Sequence, residues 1–260
     1  DSDFKCYAVT DERSAGFFAI GLILNLNCPV AICCTSGSAL LNYGSAISEA
    51  FYQELPLLIL SADRPQAWIG QMDGQTMQQT QLFGNMLAKE VNLPIIKSEE
   101  DSWFCNRLIN EALLSLFYKK RAPVHINIPI DEPFFDCSEK TLPIARRIHR
   151  NRNIDNDWIC ASKPLVIVGQ MHPNDTELLS NCLSALNCPI LSENIGNLRS
   201  TKNNIPLFDA ILLNSNEALN PDLVIYIGGH IVSKRLKQWL RNCHLKQCWR
   251  IAPSGDVADT

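Results

Sequence analysis

The chain has 260 residues, enough for one large or two ordinary domains. Its 46% hydrophobic and 19% charged residues exclude a disordered or low-complexity chain, and the charged share lies below the roughly 25% of an average soluble protein. Net charge is −4 with no block of like charges, and apolar runs such as Leu55–Leu60 fall far short of the roughly 20 residues of a membrane span, so neither a nucleic-acid partner nor a membrane span is expected.

In chain order, Lys5–Val9 reads as a strand and Ser14–Leu26 has helical spacing. Val30–Cys34 and Leu57–Ser61 are short apolar runs of the kind buried on both faces of a parallel sheet, separated by a helix over Ala39–Gln53. A helix over Glu99–Tyr118 follows, then Val124-His-Ile-Asn-Ile128, whose alternation predicts a strand with one more polar face. Polar and charged residues dominate 134–162, which reads as a linker. The rhythm restarts with a strand over Leu165–Val168, a helix over Thr176–Leu186, a strand opening at Pro189-Ile190, a strand over Leu223–Ile227 and a helix over Ser233–Asn242. The expected fold is α/β: two parallel-sheet α/β/α domains, residues 1–133 and 163–260.

The 11 cysteines are odd in number and form no C-x-x-C pair. They read as ordinary buried thiols in a reducing cytoplasm rather than as zinc ligands or a disulfide framework. The start at Asp1, and the end Ser254-Gly-Asp-Val-Ala-Asp-Thr260 with no terminal helix, read as the limits of a piece of a longer protein.

In an open parallel sheet, ligands bind outside the carboxyl ends of the strands. That rule selects Thr10-Asp-Glu-Arg13, Thr35-Ser-Gly-Ser38 and Ser61-Ala-Asp-Arg-Pro65 as loops sharing one edge. Each has an ordinary reading. Asp11 and Glu12 suit a helix N-terminus, Thr35–Ser38 a helix cap with a tight turn at Gly37, and Asp63-Arg64 a surface ion pair. The functional alternative makes Glu12, partly buried at a strand end, a proton relay.

Taken together and in order, these segments resemble the pyrimidine-binding domain of thiamine-diphosphate enzymes. More narrowly, they are similar to the menaquinone-pathway family of 2-succinyl-5-enolpyruvyl-6-hydroxy-3-cyclohexene-1-carboxylate synthases. Gly74-Gln75, Pro123-Val-His-Ile-Asn-Ile-Pro-Ile-Asp-Glu-Pro133 and Ile227-Gly-Gly-His-Ile-Val-Ser-Lys-Arg-Leu-Lys-Gln-Trp239 extend the resemblance over about residues 7–250.

The resemblance implies a pyrimidine-binding domain over 1–133, without its first strand, and a Rossmann-like central domain over 163–260. It makes Glu12 both catalytic and cofactor-binding, hydrogen-bonded to N1′ of the aminopyrimidine so that the 4′-amino group shifts to its imino form, which takes the thiazolium C2 proton. Arg64, Gln75, Lys234 and Arg235 match substrate-holding positions. Both substrates, isochorismate and 2-oxoglutarate, are dicarboxylates, which suits Arg and Lys. Thr35, Ser36 and Ser38 lie in a loop near the cofactor and receive no catalytic role.

The cofactors implied are thiamine diphosphate and Mg²⁺, with their diphosphate and metal ligands outside this chain. A homo-oligomer, dimer or tetramer, is implied as well, and the chain by itself is expected to be inactive. Two readings compete. One is another thiamine-diphosphate decarboxylase or carboligase, similar to acetolactate synthase; the other is a non-catalytic nucleotide-binding module, for which Ile227-Gly-Gly-His lacks a third glycine.

Overall fold

The computed structural model describes residues 4–130, 144–150, 161–198, 201–214, 220–252, 257 and 259. The chain divides into two compact units, Asp1–Arg150 and Asn151–Thr260. Most of the expected linker, and the Ser254-Gly-Asp segment, lie outside the described residues.

The first unit is built on β1 (Val30–Cys34), β2 (Leu57–Asp63), β3 (Lys89–Asn92) and β4 (Val124–Pro129), all parallel in the order β1-β2-β4-β3. Its helices are α1 (Glu12–Leu26), α2 (Ala39–Asn42), α3 (Gly44–Tyr52) and α4 (Glu99–Ser115). Alternate residues of β2 face opposite ways. Leu57 and Ile59 pack with Ile20, Ile23, Tyr43 and Ile47 of the α1–α3 layer, whereas Leu58 and Leu60 pack with Leu108, Ile109 and Ala112 of α4. The sheet is therefore sandwiched between two helical layers, and its apolar strands are buried on both faces. Within the stretch read as linker, Asn110 of α4 donates to the Arg146 carbonyl (3.0 Å) and accepts from the Ile148 amide (2.7 Å), tying residues 146–148 to this unit.

Gly16 lets α1 approach α3. A Cβ placed on it would lie 2.6 Å from Ala46 Cβ, whereas one on Gly21 of the same helix would meet nothing within 4 Å. This contrast yields a paired prediction. Gly21→Ala gains about 1 kcal/mol of helix propensity. Gly16→Ala makes the same gain but overpacks a rigid contact at about 1–3 kcal/mol, so it is destabilising on balance. Thermal unfolding of the two variants should shift in opposite directions; equal shifts would remove the packing argument.

The second unit carries β5 (Pro164–Val168), β6 (Ile190–Ser192), β7 (Asn204–Ile205), β8 (Leu223–Ile227) and β9 (Gln247–Ile251), parallel in the order β7-β6-β5-β8-β9. Leu165, Ile167 and Val224 face Phe208 and Leu212 of α6 (Phe208–Asn214) and Leu236 of α7 (Lys234–Asn242). Val166, Val168 and Ile190 face Leu179 and Leu183 of α5 (Thr176–Ser184) on the other side. The α/β class with two parallel sheets is thus as expected.

Asp222 holds the starts of β5 and β8 together. Its carboxylate accepts from the amides of Ser162 and Lys163 (2.9 Å each) and from the Ser162 hydroxyl (2.8 Å). The Lys163 amide, then Ser162, hold its carboxyl down from the usual 3.8 to about 2. A carboxyl depressed in the folded state contributes stability above its unfolded value, and that contribution fades as pH falls from 3.8 towards about 2. Asp222→Asn should therefore flatten the acid dependence of unfolding in this unit over that window. An unchanged slope would show that the clasp contributes nothing.

Several expectations are corrected. Residues 4–9 are exposed and pair with no described strand; strand-like composition alone does not supply the partner that a strand requires. The helix expected over Ala39–Gln53 is interrupted at Tyr43, whose hydroxyl donates to the Cys33 carbonyl (2.8 Å). Strands β3, β7 and β9 and helix α6 had no counterpart in the sequence reading. Nor are the thiols uniformly buried: Cys6, Cys28, Cys33, Cys182 and Cys248 are exposed, and only Cys188 is buried among the described cysteines. Among the described residues no helix is long and apolar enough to cross a membrane.

Candidate active site

Because β1, β2, β3 and β4 are parallel, the loops following them share one edge. Glu12 reaches that edge as the first residue of α1. Its neighbour Asp11 serves as the helix cap, accepting from the Ser14 amide (2.7 Å), so the two acidic residues divide the work. Capping describes Asp11 and leaves Glu12 half-buried beside the end of β1. Burial first, and the Glu12 charge second, push the Cys34 thiol up to about 12. Burial also raises Tyr43, with Cys34, Cys33 and Glu12 adding to the effect.

The loop after β1 turns at Gly37, whose φ of +84° favours glycine. A Cβ there would lie 3.2 Å from the Gln75 carbonyl oxygen, so the backbone carrying Gln75 is packed against this loop. Gln75 is itself left-handed, at φ 55°, with an exposed side chain. Ser38 makes no side-chain capping bond to α2, so capping does not account for this loop. Ser36 is buried, and Thr35 and Ser38 are exposed.

Arg64 directly follows β2. Asp63 is not half of a surface ion pair: it is 4% exposed, accepting from Asn127 Nδ2 (2.7 Å) and from the Arg64 amide (2.8 Å). Arg64 Nε is buried with no hydrogen-bond partner among the described residues. Its side chain lines a cleft of about 380 Å³ with Gln66, Gln78, Thr80, Lys97 and Phe104. A buried guanidinium donor left unpaired beside an open cleft suits an incoming carboxylate.

Behind this edge lies a polar network that the sequence reading missed. Ser61, Gln79, His125 and Asn127 are each 0% exposed. Gln79 is oriented by the Gly37 amide, which can only donate (2.7 Å), and by the Ala62 carbonyl, which can only accept (2.9 Å). Asn127 is oriented by the Asp63 carboxylate, so its Oδ1 faces Gln79 Nε2 (2.8 Å) and the Ser61 hydroxyl (2.8 Å). Ser61 has one proton and spends it on Asn127, hence His125 Nε2, 2.7 Å away, must be the donor to Ser61.

His125 Nδ1 lies 3.7 Å from Glu90 Oε2, an ion-pair distance rather than a hydrogen bond. Burial pushes the Glu90 carboxyl up, but His125 and the Gln81 amide outweigh it and hold the group below its usual range. The alternation of Val124–Ile128 was the one sequence signal. Its polar side is turned into this network, not to solvent.

In the second unit, Lys234 and Arg235 open α7, both exposed. Amides at a helix start favour anions, and here the protein itself supplies a carboxylate. Glu193 accepts from the amides of Val232 (2.7 Å) and Ser233 (2.6 Å), and Arg235 donates to the Asp209 carbonyl (3.1 Å). The structure therefore brings Glu12, Arg64 and Gln75 to one edge of the first unit, while Lys234 and Arg235 stand at one helix start of the second.

Two family models match the chain. "Thiamine pyrophosphate enzyme, N-terminal TPP binding domain" covers residues 1–86, and "Middle domain of thiamine pyrophosphate" covers residues 140–260. The chain belongs to the thiamine-pyrophosphate enzyme family. Among members of that family, it is 47% identical to the 2-succinyl-5-enolpyruvyl-6-hydroxy-3-cyclohexene-1-carboxylate synthase of Phocaeicola vulgatus, over 99% of this chain and 49% of that protein. The synthase of Bacteroides thetaiotaomicron is 47% identical over 98% and 49%, and that of Cytophaga hutchinsonii 38% over 96% and 48%. The chain thus spans about half the length of the curated relatives it matches. The thiamine-pyrophosphate family places its N-terminal model on the first unit, where Glu12, Arg64 and Gln75 lie.

Proposed function

We propose that the full-length protein containing this chain is a 2-succinyl-5-enolpyruvyl-6-hydroxy-3-cyclohexene-1-carboxylate synthase. It would decarboxylate 2-oxoglutarate and add the resulting four-carbon unit to isochorismate, using thiamine diphosphate and Mg²⁺, as a cytoplasmic homo-oligomer. The observation that carries this reading is the convergence of Glu12, Arg64 and Gln75, distant in sequence, on one sheet edge in a chain similar to such synthases along nearly its whole length.

The residues present fit the aminopyrimidine end of the cofactor. Glu12 is half-buried, spared from capping by Asp11, and placed beside the buried groups at the end of β1. When bound, thiamine diphosphate supplies the electron sink that decarboxylation needs. Glu12 would hydrogen-bond the ring nitrogen N1′ and hold the proton there; Asp would be one methylene too short, and Gln carries no exchangeable acid proton. Arg64 would fork onto a substrate carboxylate with its unpaired Nε, and Gln75, exposed on the adjoining turn, would donate its amide. Lys234 and Arg235 would supply further positive charge. Among the described residues no cluster of three His, Cys, Asp or Glu is arranged to hold a metal ion, so Mg²⁺ is assigned no ligand there.

The competing nucleotide-binding reading is weakened by the second unit. In its sheet the strand order reverses between β5 and β8, where nucleotides bind in such folds. There the turns after β5 and β8 meet backbone to backbone: a Cβ on Gly169 would lie 2.5 Å from the Gly229 carbonyl oxygen, and the Gly229 amide donates to Gln170 O (2.8 Å). The test of the synthase reading follows loss of isochorismate absorbance by the full-length protein with thiamine diphosphate, Mg²⁺ and either 2-oxoglutarate or pyruvate. Turnover with 2-oxoglutarate alone is expected. Turnover with pyruvate, or with neither donor, would overturn the substrate assignment.

A further inference from the structure

Gln79 is uncharged, wholly buried, and 42, 17 and 48 residues distant in sequence from its three close partners: Gly37, Ala62 and Asn127. An amide offers two donors and a carbonyl acceptor, and here each is used. Its oxygen accepts from the Gly37 amide, and its nitrogen serves the Ala62 carbonyl and Asn127 Oδ1, all at 2.7–2.9 Å. In a dry interior such an amide has one workable orientation, and its partners share that constraint.

The links continue to groups on the surface of the site. Gly37 lies with its Cα face close against the Gln75 backbone, where a Cβ would sit 3.2 Å from the Gln75 carbonyl oxygen. Asn127 passes the constraint to Asp63 (2.7 Å), whose other oxygen accepts from the Arg64 amide (2.8 Å). One buried hydrogen-bonded chain therefore runs from the turn after β1 to the backbone of Arg64, with the Gln75 turn packed on its first link.

We propose that Gln79 is a positioning residue, clamping the 35–38 turn, the Gln75 turn and Arg64 into the single arrangement that receives the substrate carboxylates. The proposal rests on the reading of Arg64 and Gln75 as substrate residues. An apolar side chain such as Met would fill the same space without fixing the three segments to one another. Arg64 and Gln75 hold substrate carboxylates rather than the reacting atoms, so loosening them weakens substrate binding before it slows the chemistry.

The test uses the full-length protein and two variants, Gln79→Met and Gln79→Glu. Two quantities are read: hydrogen exchange of the Gly37 amide, and KM and kcat with isochorismate and 2-oxoglutarate. For Gln79→Met, Gly37 exchange is expected to accelerate at least about tenfold. At least one substrate KM should rise about tenfold or more, with a smaller change in kcat.

For Gln79→Glu, the ionised carboxylate still accepts from Gly37 but turns an oxygen towards Ala62 O and Asn127 Oδ1. Protonated, it regains one donor. The Glu defect should therefore shrink between about pH 8 and about pH 6, since burial raises a carboxyl. Should Gln79→Met fail to fold, this pH-dependent recovery decides the matter alone. Faster Gly37 exchange with both KM values unchanged would overturn the proposal and reduce Gln79 to a stabilising contact. Unchanged exchange would overturn it outright. An unsubstituted protein with no synthase activity would instead overturn the proposed function, and with it any role of the clamp in catalysis.

Discussion

Glu12→Gln in the full-length protein is expected to lower kcat by about 10²–10⁴-fold, the usual contribution of a positioned acid–base group, while the protein remains folded. The substitution keeps the length of the side chain and its hydrogen-bonding capacity. What it removes is an acidic proton and a negative charge at the first turn of α1. The charge interacts favourably with the helix N-terminus, but by only about 0.3–1 kcal/mol at an exposed or half-exposed site. The cap itself belongs to Asp11, whose bond to the Ser14 amide is untouched. Activity and stability should therefore separate: turnover nearly abolished, unfolding shifted by less than about 1 kcal/mol. Steady-state kinetics beside a thermal melt would check both. Near-normal turnover would remove Glu12 from the proton-handling role.

Asn127→Leu should destabilise the first unit by about 3–5 kcal/mol, although Leu has nearly the same volume. The reason lies in what remains behind. Asp63 Oδ2 loses a donor, and the Ser61 hydroxyl and Gln79 Nε2 lose an acceptor, all within residues at most 4% exposed. Each neutral group left unpaired costs about 1–3 kcal/mol and a charged one more; partial relaxation keeps the total below the sum. Asn92 also loses its contact, but it is exposed and can turn to water. Amide exchange of β2 and β4 would read the effect in this unit alone, without assuming that the two units unfold together. A loss below about 1 kcal/mol would mean that water repairs the network.

The edge residues and the network behind them were unequally legible. Arg64 stood out because it follows an apolar run at a recognisable strand end. Glu12 stood out through the order of its segment along the chain, which resembles one family, since the strand expected before it is not formed. Gln79 had no such signal. It lies in the polar stretch Gln71–Gln81, where nothing local separates a buried Gln from the exposed Gln71, Gln75, Gln78 and Gln81. Only its three partners, each many residues away, make it an interior residue. Asp63 was misread for the same reason: beside Arg64 it looks like half of an ion pair, whereas its partner is Asn127 on β4, 64 residues on. At Lys234-Arg235 the sequence showed a helix start but not that Glu193, from the end of β6, had already reached it.

By itself the sequence determined the α/β class, the positions of the apolar strands and most helices, and the family. The class and the elements follow from periodicity, which a chain carries without reference to its fold, and the family from the resemblance of its ordered segments. Tertiary structure alone decided which short polar segments became strands. Lys89–Asn92 is a strand because β4 offers it an edge, while residues 4–9 are not, because no described strand pairs with them. It also decided which polar groups are buried, because desolvation and hydrogen bonding depend on neighbours brought together only by the crossing of distant strands.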